Sequence, residues 1–552
     1  MANGEKRTGG DKPTAGDTPV SSPRRLLQRW LKWTFPAPAG KPVSRRRRLL
    51  RRWLKRGCLG LVVGVVAYWL WCDYSSSRDL RAELAAIKAA GEPIEFKDLA
   101  PQPIPDAENA AELYKKAAQL PLLAYDPWGQ DKLPPRLRRL GSMLPYLMQH
   151  TQFRQEHQQE LKEILAMSND ALALCRQARG RTKSDWKLDY NAPALDVVLS
   201  RSLSQYRQLC RLLCLVALAA HEKGQEEAAV EYLRDALALG RAVGTPPDIT
   251  SHLTQVGMQG LASNTVEEIA PALGVEAEQA GARRQQARAL IRQLLDQQPL
   301  RDGLKWAFIG ERSCSYDMLM RIARGQPHSQ RPGRNEPQLG WATRIISRPL
   351  FKRGAARSIR HSNGFVRAAG EDSLPAARKH MPPAKPARSR LDFSGFLADI
   401  VCPSLYRTFE LHWSAVALRR MAAAALAIRL YEIDHGRRPE KFDDLVPKYL
   451  PAVPADPFAE DGRKITYLPK AEHPLLYSLN VDGKDDGGGY GLHESGSVDR
   501  KAGDLVFFLN GDRPEGECDW KEPDARKREQ QPVKREAPSS PRGGPQSEVR
   551  TE

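Results

Sequence analysis

The hydrophobic positions of this 552-residue chain follow three patterns, and the first is an uncharged apolar run near the N-terminus. The run extends from Cys58 to Cys72. Together with Gly57 and Tyr74 it reaches the lower end of the roughly 17 to 25 residues that a membrane-spanning helix needs. The mean hydropathy of the whole chain is low, which argues against a protein with many spans. The pattern therefore predicts a single transmembrane helix at residues 57–74.

The second pattern is a helical spacing of apolar positions that continues through residues 78–324. It is clearest where an apolar helix at 204–221, a turn at 222–225 and a helix at 226–241 follow one another. This pair of helices resembles one hairpin of the tetratricopeptide type, and a helical bundle without repeats explains it as well. Both interpretations predict a mainly α ectodomain.

The third pattern predicts a small α+β domain at residues 399–510. Between Leu411 and Ile433 the apolar positions are spaced by three and four residues, which indicates a long helix that Gly436 can end. A short helix is predicted at residues 439–446. The predicted strands are 464–468, 475–479 and 504–509. The chain as a whole is thus predicted to be mainly α, with a small sheet near its C-terminal end.

The net charge of +19 is concentrated in two segments, residues 1–56 and 321–390, each with sixteen Lys or Arg against three Asp or Glu. Basic residues that flank a span are retained on the cytoplasmic side, and residues 73–77 after the span contain none. We therefore expect a cytoplasmic tail at residues 1–56 and an uncleaved anchor in the cell inner membrane. Nearly all of the remaining mass is expected in the periplasm or its extracytoplasmic equivalent.

Aromatic and basic residues predict how the anchor meets the lipid. The expected interface residues are Trp53 on the inner side and Trp69, Trp71 and Tyr74 on the outer side. The tail also contains a duplicated segment of Arg, Leu and Trp, at residues 24–33 and 47–56. Such a segment can dock on anionic lipid, and the alternative is that it only fixes the topology.

Two segments are predicted to be disordered because they mix Pro, Gly and charged residues with little periodicity. They are residues 325–390, with short helical islands near 341–348, and residues 511–552. Nucleic-acid binding needs a basic face interleaved with aromatic residues on a folded scaffold. Because the basic charge lies in a tail and in this insert instead, no nucleic-acid partner is expected.

Eight cysteines are scattered through the chain without a CxxC pair, which does not indicate a disulfide framework. Cys210 and Cys214 share one face of a predicted helix with His221, a spacing that a metal site could use. They lie in an apolar stretch, where thiols behave as small hydrophobic side chains. We therefore interpret them as core residues.

One set of residues near the C-terminus occurs in a characteristic order. The set is Leu430, Tyr431, Asp434, Gly436, Pro439, Tyr449, Leu450, Pro454, Asp456, Pro457, Tyr467, Tyr477, Ser478, Asp482, Gly483, glycines 487–489, Gly503, Asp504 and Leu505. This order resembles the periplasmic domain of the major pseudopilin of type II secretion systems. The resemblance covers about a fifth of the chain. In that family the long helix carries its own membrane segment, whereas here a large helical domain precedes it, so we expect an added pseudopilin-like domain rather than a pilus subunit.

The resemblance also implies a calcium site in the glycine-rich loop. Asp482 and Asp504 match side-chain ligand positions, and Leu479 and Val481 would offer carbonyl oxygens. Calcium prefers six to eight oxygen ligands, which such a loop can supply. An EF-hand that starts at Asp482 is excluded, because Lys484 and His493 would occupy positions that require oxygen ligands. The alternative to calcium is an Asp-Gly turn between two strands.

Signatures of catalysis are missing from the sequence, which has no GxSxG, HExxH, phosphate-binding loop or dinucleotide fingerprint. His435, His473 and His493 are interpreted as cap or surface residues, unless His493 and Asp482 lie in one pocket. The sequence therefore favours a membrane-anchored envelope scaffold, without catalytic activity, that binds a protein partner it does not identify. The alternative is an accessory component of a type II secretion or pilus-like assembly, with a calcium-stabilised terminal domain.

Overall fold

The structure is a computed structural model, and it describes residues 45–125, 133–200, 202–275, 281–327, 329, 340–383 and 405–523. The chain divides into two compact units, residues 1–71 and 72–552. The fold is mainly helical, and a small sheet region lies near the C-terminus, as predicted from the apolar spacing.

In the first unit, the described residues belong to helix α1, which begins at Arg45 and continues to Ala89. Its apolar side chains are exposed, and those of Leu61 and Val65 are 71% and 62% exposed. By length and composition α1 could cross a membrane, and none of its apolar window is buried. The apolar helix predicted at residues 57–74 is therefore present, and its surface is typical of a helix that needs apolar surroundings.

The second unit is built mainly from helices in the described part of the chain. They are α2 (Ala110–Ala117), α3 (Pro135–Gln149), α4 (Thr151–Glu156), α5 (Gln158–Arg179), α6 (Ala194–Ser200), α7 (Ser204–Glu222), α8 (Glu226–Val243), α9 (Ile249–Ile269), α10 (Ala282–Leu295), α11 (Gln298–Arg324), α12 (Trp341–Ala368), α13 (Leu374–Arg378) and α14 (Tyr406–His435). Four single turns of 3-10 helix also occur, at Phe96–Leu99, Pro121–Ala124, Ala270–Ala272 and Phe442–Leu445.

Helices α7 and α8 form the hairpin that the sequence predicted. Gly224 adopts a positive φ of 69° in the turn, a conformation that glycine reaches without a steric penalty. The thiols of Cys210 and Cys214 are buried in the core. The Nδ1 atom of His221 lies 2.7 Å from a carboxylate oxygen of Glu226, which opens α8. The interpretation of the two cysteines as core residues is confirmed.

Helix α14 lies at the centre of the second unit. Between Ala415 and Ile428 every residue except Arg420 is buried. A helix that is apolar on all sides belongs inside a protein or a membrane, and α14 is covered by α9 and α10. It ends as predicted at Gly436, which adopts a positive φ of 67°.

The predicted boundary between a helical domain at residues 78–324 and a separate domain at 399–510 is wrong. One continuous core extends from Phe96 to Leu509 and includes α14 together with the sheet. The physical reason is that α14 has apolar side chains all round, so it must be covered by the earlier helices.

The prediction of a disordered insert at residues 325–390 is wrong for its described part. Residues 341–368 form the 28-residue helix α12, which packs against α11, and residues 374–378 form α13. Phe351, Ala355 and Ile359 are buried at helical spacing. The basic residues that suggested disorder pair with acids, as Lys352 Nζ does with Asp73 Oδ1 at 2.7 Å. Residues 328, 330–339 and 384–390 of the predicted insert lie outside the described residues.

The sheet region contains a three-stranded antiparallel sheet and a separate hairpin. The strands are β1 (Thr466–Leu468), β2 (Leu475–Ser478), β3 (Tyr490–Leu492), β4 (Val498–Gly503) and β5 (Leu505–Phe508). Strand β2 lies between β1 and β5, and Leu476 is paired with Phe507. Leu476 and Phe507 face the main core, whereas Tyr490 and Val498 of the β3–β4 hairpin pack with Leu475 on a second cluster. The three predicted strands are confirmed, and the hairpin was not predicted.

The predicted disorder of residues 511–552 is wrong for residues 511–523. The ring of Trp520 lies 5.5 Å from that of Phe153, and its Nε1 atom donates to Ser142 Oγ at 3.3 Å. Arg513 forms an ion pair with buried Glu267 at 2.9 Å. A Pro-rich and charged composition concealed these contacts. Residues 524–552 lie outside the described residues.

Candidate functional site

The glycine-rich loop at residues 479–489 is fixed at its base by three buried polar side chains. The amide of Asn480 donates to the carbonyl oxygens of Arg500 and Gly503, both at 2.9 Å. Asp456 accepts from the Ser478 hydroxyl at 2.7 Å and from the Leu479 amide at 2.9 Å. Because a buried carboxylate needs such donors, Asp456 ties the loop to the segment before β1. Asp456 belongs to the residues that carry the pseudopilin resemblance, but this role was not predicted from the sequence.

Asp504 is the buried acid beneath the loop. Its Oδ2 atom accepts from the backbone amides of Asp486 at 3.1 Å and Gly488 at 2.8 Å. Its Oδ1 atom is buried and has no hydrogen-bond partner in the described residues. Burial, assisted by the charges of Asp485 and Asp486 and opposed by the two amide donors, raises the pKa of Asp504 to about 6. A buried oxygen without a partner is costly, so this atom is suited to a cation or a proton.

The other predicted calcium ligands are placed differently. Asp482 is exposed and accepts from the backbone amide of Lys484 at 3.3 Å, which is the geometry of an Asx turn. The carbonyl oxygen of Val481 accepts from the Arg378 guanidinium at 2.7 Å. Leu479 lies in the strand end that bonds to Asp456. No group of three or more His, Cys, Asp or Glu residues suited to a metal occurs in the described part of the chain.

A groove of about 890 Å³ lies beside this loop, and we call it the loop groove. Its floor is formed by α9 and α14, and its rim by the loop, the β3–β4 hairpin, α13 and the first turns of α14. Apolar floor residues include Val256, Leu411, Ala415 and Leu418. Gly257 leaves open space, since nothing lies within 4 Å of the position that a Cβ atom would occupy. Both Asp482 and His493 line the groove. His493 therefore shares a pocket with Asp482 and is not simply a cap or surface residue.

The rim of the loop groove carries charges of both signs. The basic residues are Arg378, Arg407, Arg500 and Lys501, and the acidic residues are Glu410, Asp482 and Asp499. Arg407 donates to Glu410 at 2.8 Å within α14, and His493 lies 3.7 Å from Asp499. The sequence did not single out the basic members of this rim. These basic residues lie on α13, α14 and the hairpin, so only the folded structure brings them to one rim.

Arg500 is a partly buried charge at the groove. Its guanidinium donates to the side-chain oxygen of Asn264 on α9 at 2.6 Å. Burial lowers the pKa of Arg500 to about 10, and the nearby charge of Arg513 acts in the same direction against Glu267. At neutral pH the side chain remains charged. The hairpin is therefore joined to α9 by a charged hydrogen bond beside the groove.

The predicted membrane-interface residues lie along α1. Trp53, Trp71 and Tyr74 are exposed, and Trp69 is half-buried. The rings of Tyr68 and Trp71 are stacked at 6.2 Å. Exposed aromatic side chains at both ends of an apolar helix are typical of lipid headgroup regions.

No protein-family model, no curated protein and no solved structure matches the chain.

Proposed function

We propose that this protein is a single-span, membrane-anchored interaction protein of the cell envelope, and that the loop groove binds a segment of a partner protein. The observation that carries the proposal is the groove itself, with an apolar floor between α9 and α14 and a charged rim. Protein interfaces combine an apolar centre with a polar rim in this way. A lipid surface or a nucleic acid would call for a rim of one sign, so both signs together favour a polypeptide.

A non-catalytic role is part of this proposal. General acid-base or nucleophilic catalysis needs a base within hydrogen-bond reach of its partner. In the described residues, the ionisable neighbour of His493 is Asp499, at 3.7 Å. The arrangement supports binding better than it supports chemistry.

The topology completes the proposal. The basic tail lies in the cytoplasm on anionic lipid, and the unit that begins at residue 72 lies on the outer side of the inner membrane. Support comes from the exposed apolar helix and its basic N-terminal flank. Protease added to intact spheroplasts should digest the second unit and spare an N-terminal tag, whereas loss of the tag would reverse the assignment.

Site-specific photo-crosslinking in cells tests the groove. A photoreactive residue at Ser414, which lies in the groove on α14, should give a defined adduct with an envelope protein. The matched control is Lys305, an exposed position on α11 outside the groove. Adducts of the same protein from both positions, or from neither, would contradict the assignment of the groove.

A second candidate is an accessory component of a type II secretion or pilus-like assembly, with calcium in the glycine-rich loop. The observation that favours it is the buried Oδ1 atom of Asp504, which has no partner in the described residues. Asp504 would hold the ion together with Asp482 and the carbonyl oxygens of Leu479 and Val481, as the resemblance implies. Calcium there would neutralise the carboxylates and fix the loop. Copurification from detergent extracts should then yield a defined set of assembly proteins.

A further inference from the structure

A second cavity, which shares no lining residue with the loop groove, is lined by an excess of arginine, and we call it the arginine cavity. Its volume is about 360 Å³, and its walls come from α2, α5, α8, α9, the end of α10, the start of α11 and α14. The arginines that line it are Arg176, Arg179, Arg181, Arg234, Arg241 and Arg419. Asp296 is the acid in the lining. A volume of this size is at the lower end of the range for small-molecule sites.

Three of these arginines pair with two buried acids of α8, Glu231 and Asp235. Arg176 donates to Asp235 at 2.7 Å, and Arg179 lies 3.2 Å from the other oxygen of the same carboxylate. Arg179 and Arg234 both donate to Glu231. Two carboxylates thus serve three guanidinium groups, which leaves one positive charge over.

The other three arginines have no carboxylate partner among the described residues. Arg181 donates to the carbonyl oxygens of Asp106 and Asn109, both at 3.0 Å. Arg241 is exposed at the mouth of the cavity and forms neither a hydrogen bond nor an ion pair within the described residues. With Asp296 counted against the whole set, the cavity keeps a surplus of three positive charges.

Part of this surplus positive charge lies at the buried wall of the cavity, where α14 contributes Arg419. It is buried in α14, and its guanidinium donates only to neutral oxygens. These are the carbonyls of Leu294, Gln293 and Asp296 and the side-chain oxygen of Gln259, at 2.5 to 3.0 Å. Carbonyl groups satisfy the hydrogen bonds of a buried cation without neutralising its charge, so its field remains within the cavity.

We propose that the arginine cavity binds a small phosphorylated molecule. Guanidinium groups match phosphate geometry with paired donors, and a phosphate monoester carries nearly two negative charges at neutral pH. Such a dianion offsets most of the surplus of three. The hydroxyls of Thr182, Ser184 and Thr245 in the same lining are suited to the polar groups of the attached molecule.

Thermal melting of the detergent-solubilised full chain tests the proposal, with inorganic phosphate as the probe and chloride at equal ionic strength as the reference. Phosphate should raise the Tm in a saturable way. Arg241→Gln should weaken the apparent affinity about tenfold, because it removes one charge-assisted contact. Arg241 forms no hydrogen bond or ion pair with its side chain in the described fold, so this variant should melt normally without phosphate. Arg292→Gln is the matched control, an exposed arginine on α10 outside the cavity, and should respond as the wild type does.

Three results would overturn the proposal. The first is a Tm that responds no more to phosphate than to chloride. The second is an equal response in the wild type and in Arg241→Gln, which would assign the effect to basic residues elsewhere. The third is a stronger response to succinate than to phosphate, which would make the cavity a dicarboxylate site.

Discussion

Helices α1 and α14 are both long and apolar, yet they place the same kinds of side chain in opposite surroundings. In α1 the apolar residues between Leu59 and Trp71 are largely exposed, whereas in α14 nearly every residue between Ala415 and Ile428 is buried by other helices. Composition alone shows that each helix needs an apolar environment. It does not say whether lipid or protein provides that environment.

The difference can be traced to charge. The run from Cys58 to Cys72 contains no charged residue and follows a basic flank, which suits lipid. Helix α14 carries Arg419 and Arg420 at its centre, and both find oxygen partners on neighbouring elements. A charge in the middle of an apolar helix therefore indicates a protein interior when acceptors are available.

The largest expected effect is a loss of folding stability when a buried side chain of α14 is removed, compared with an exposed one of α1. Phe409 of α14 is fully buried, and its ring lies 4.9 Å from that of Phe308. Phe409→Ala should destabilise the second unit by about 3 to 5 kcal/mol, the usual cost of removing a buried aromatic ring. Urea denaturation of the solubilised protein, followed by circular dichroism, measures the change. Leu61→Ala in α1 is the control and should change it by less than about 0.5 kcal/mol. Equal effects would mean that both helices lie in protein cores.

The reverse experiment places a charge in α1. Val65 lies near the centre of the proposed span and is 62% exposed. Val65→Arg should oppose membrane insertion by about 2.5 to 3.5 kcal/mol, the cost of arginine at the centre of a span. Alkaline extraction of membranes measures the anchored fraction, and Val65→Leu should stay anchored. If the arginine variant is retained fully, lipid does not surround this helix.

The next effect is stabilisation by calcium at a buried acid. The second unit contains such acids, whereas the apolar run from Cys58 to Cys72 in α1 has none. If calcium binds beside Asp504, it should stabilise the full chain by about 2.7 kcal/mol when free calcium is a hundredfold above its Kd. Asp504→Asn should remove the increment in melting experiments with calcium and with chelator. Asp461→Asn should retain it, since Asp461 caps a different turn.

Asp482→Ala sharpens the same experiment. Loss of the calcium increment would support the ligand set that the resemblance implies. Its retention would indicate that Asp485 and Asp486, whose charges raise the pKa of Asp504, take the place of Asp482. Identical melting of the wild type with calcium and with chelator would favour the Asp-Gly turn.

The smallest expected effect is a pH dependence that belongs to the second unit. Burial, assisted by the charge of Asp248, raises the pKa of Glu311 on α11 to about 7. A raised carboxyl pKa means that the folded state retains the proton. The associated stability is therefore complete below the ordinary pKa of 4.5 and is lost as the pH rises through 7. Glu311→Gln should be more stable than the wild type at pH 8 by about 1 to 3 kcal/mol, and equally stable at pH 4. A constant difference across this range would exclude Glu311 as the titrating group.

The elements that the sequence predicted are those whose signal is local. The α7–α8 hairpin, the end of α14 at Gly436 and strands β2 and β5 each follow from nearby periodicity and turn residues. Helix α12 was predicted only as a short helical island near residues 341–348, because its basic residues suggested disorder, although Phe351 and Ile359 recur at helical spacing. Its acidic partners, such as Asp73, lie far away in sequence.

The candidate sites depend even more on distant contacts. Asp482 and His493 were singled out from the sequence, and the structure places both in the loop groove. The basic rim from Arg378 and Arg407 could not be predicted, because its members belong to different helices. Val481 was expected to offer its carbonyl oxygen to calcium, and the Arg378 guanidinium occupies it. A local sequence motif does not indicate which distant side chain competes for the same oxygen.

Arg419 has a consequence for the uniqueness of the fold. The stretch from Ala422 to Ala425 has only methyl side chains, so this turn of α14 offers little shape to oppose a displacement along the helix axis by one turn, about 5.4 Å. The guanidinium of Arg419 meets its acceptors at the end of α10 in one position only. Sliding would leave a cation inside the protein without oxygen partners, which is far more costly than imperfect packing. We infer that this buried charge helps to set the register of α14, together with Arg420, which donates to the carbonyl oxygen of Ala455. Arg419→Met should then retain helical circular dichroism but unfold over a broader temperature range, whereas an equally sharp transition would assign the register to packing alone.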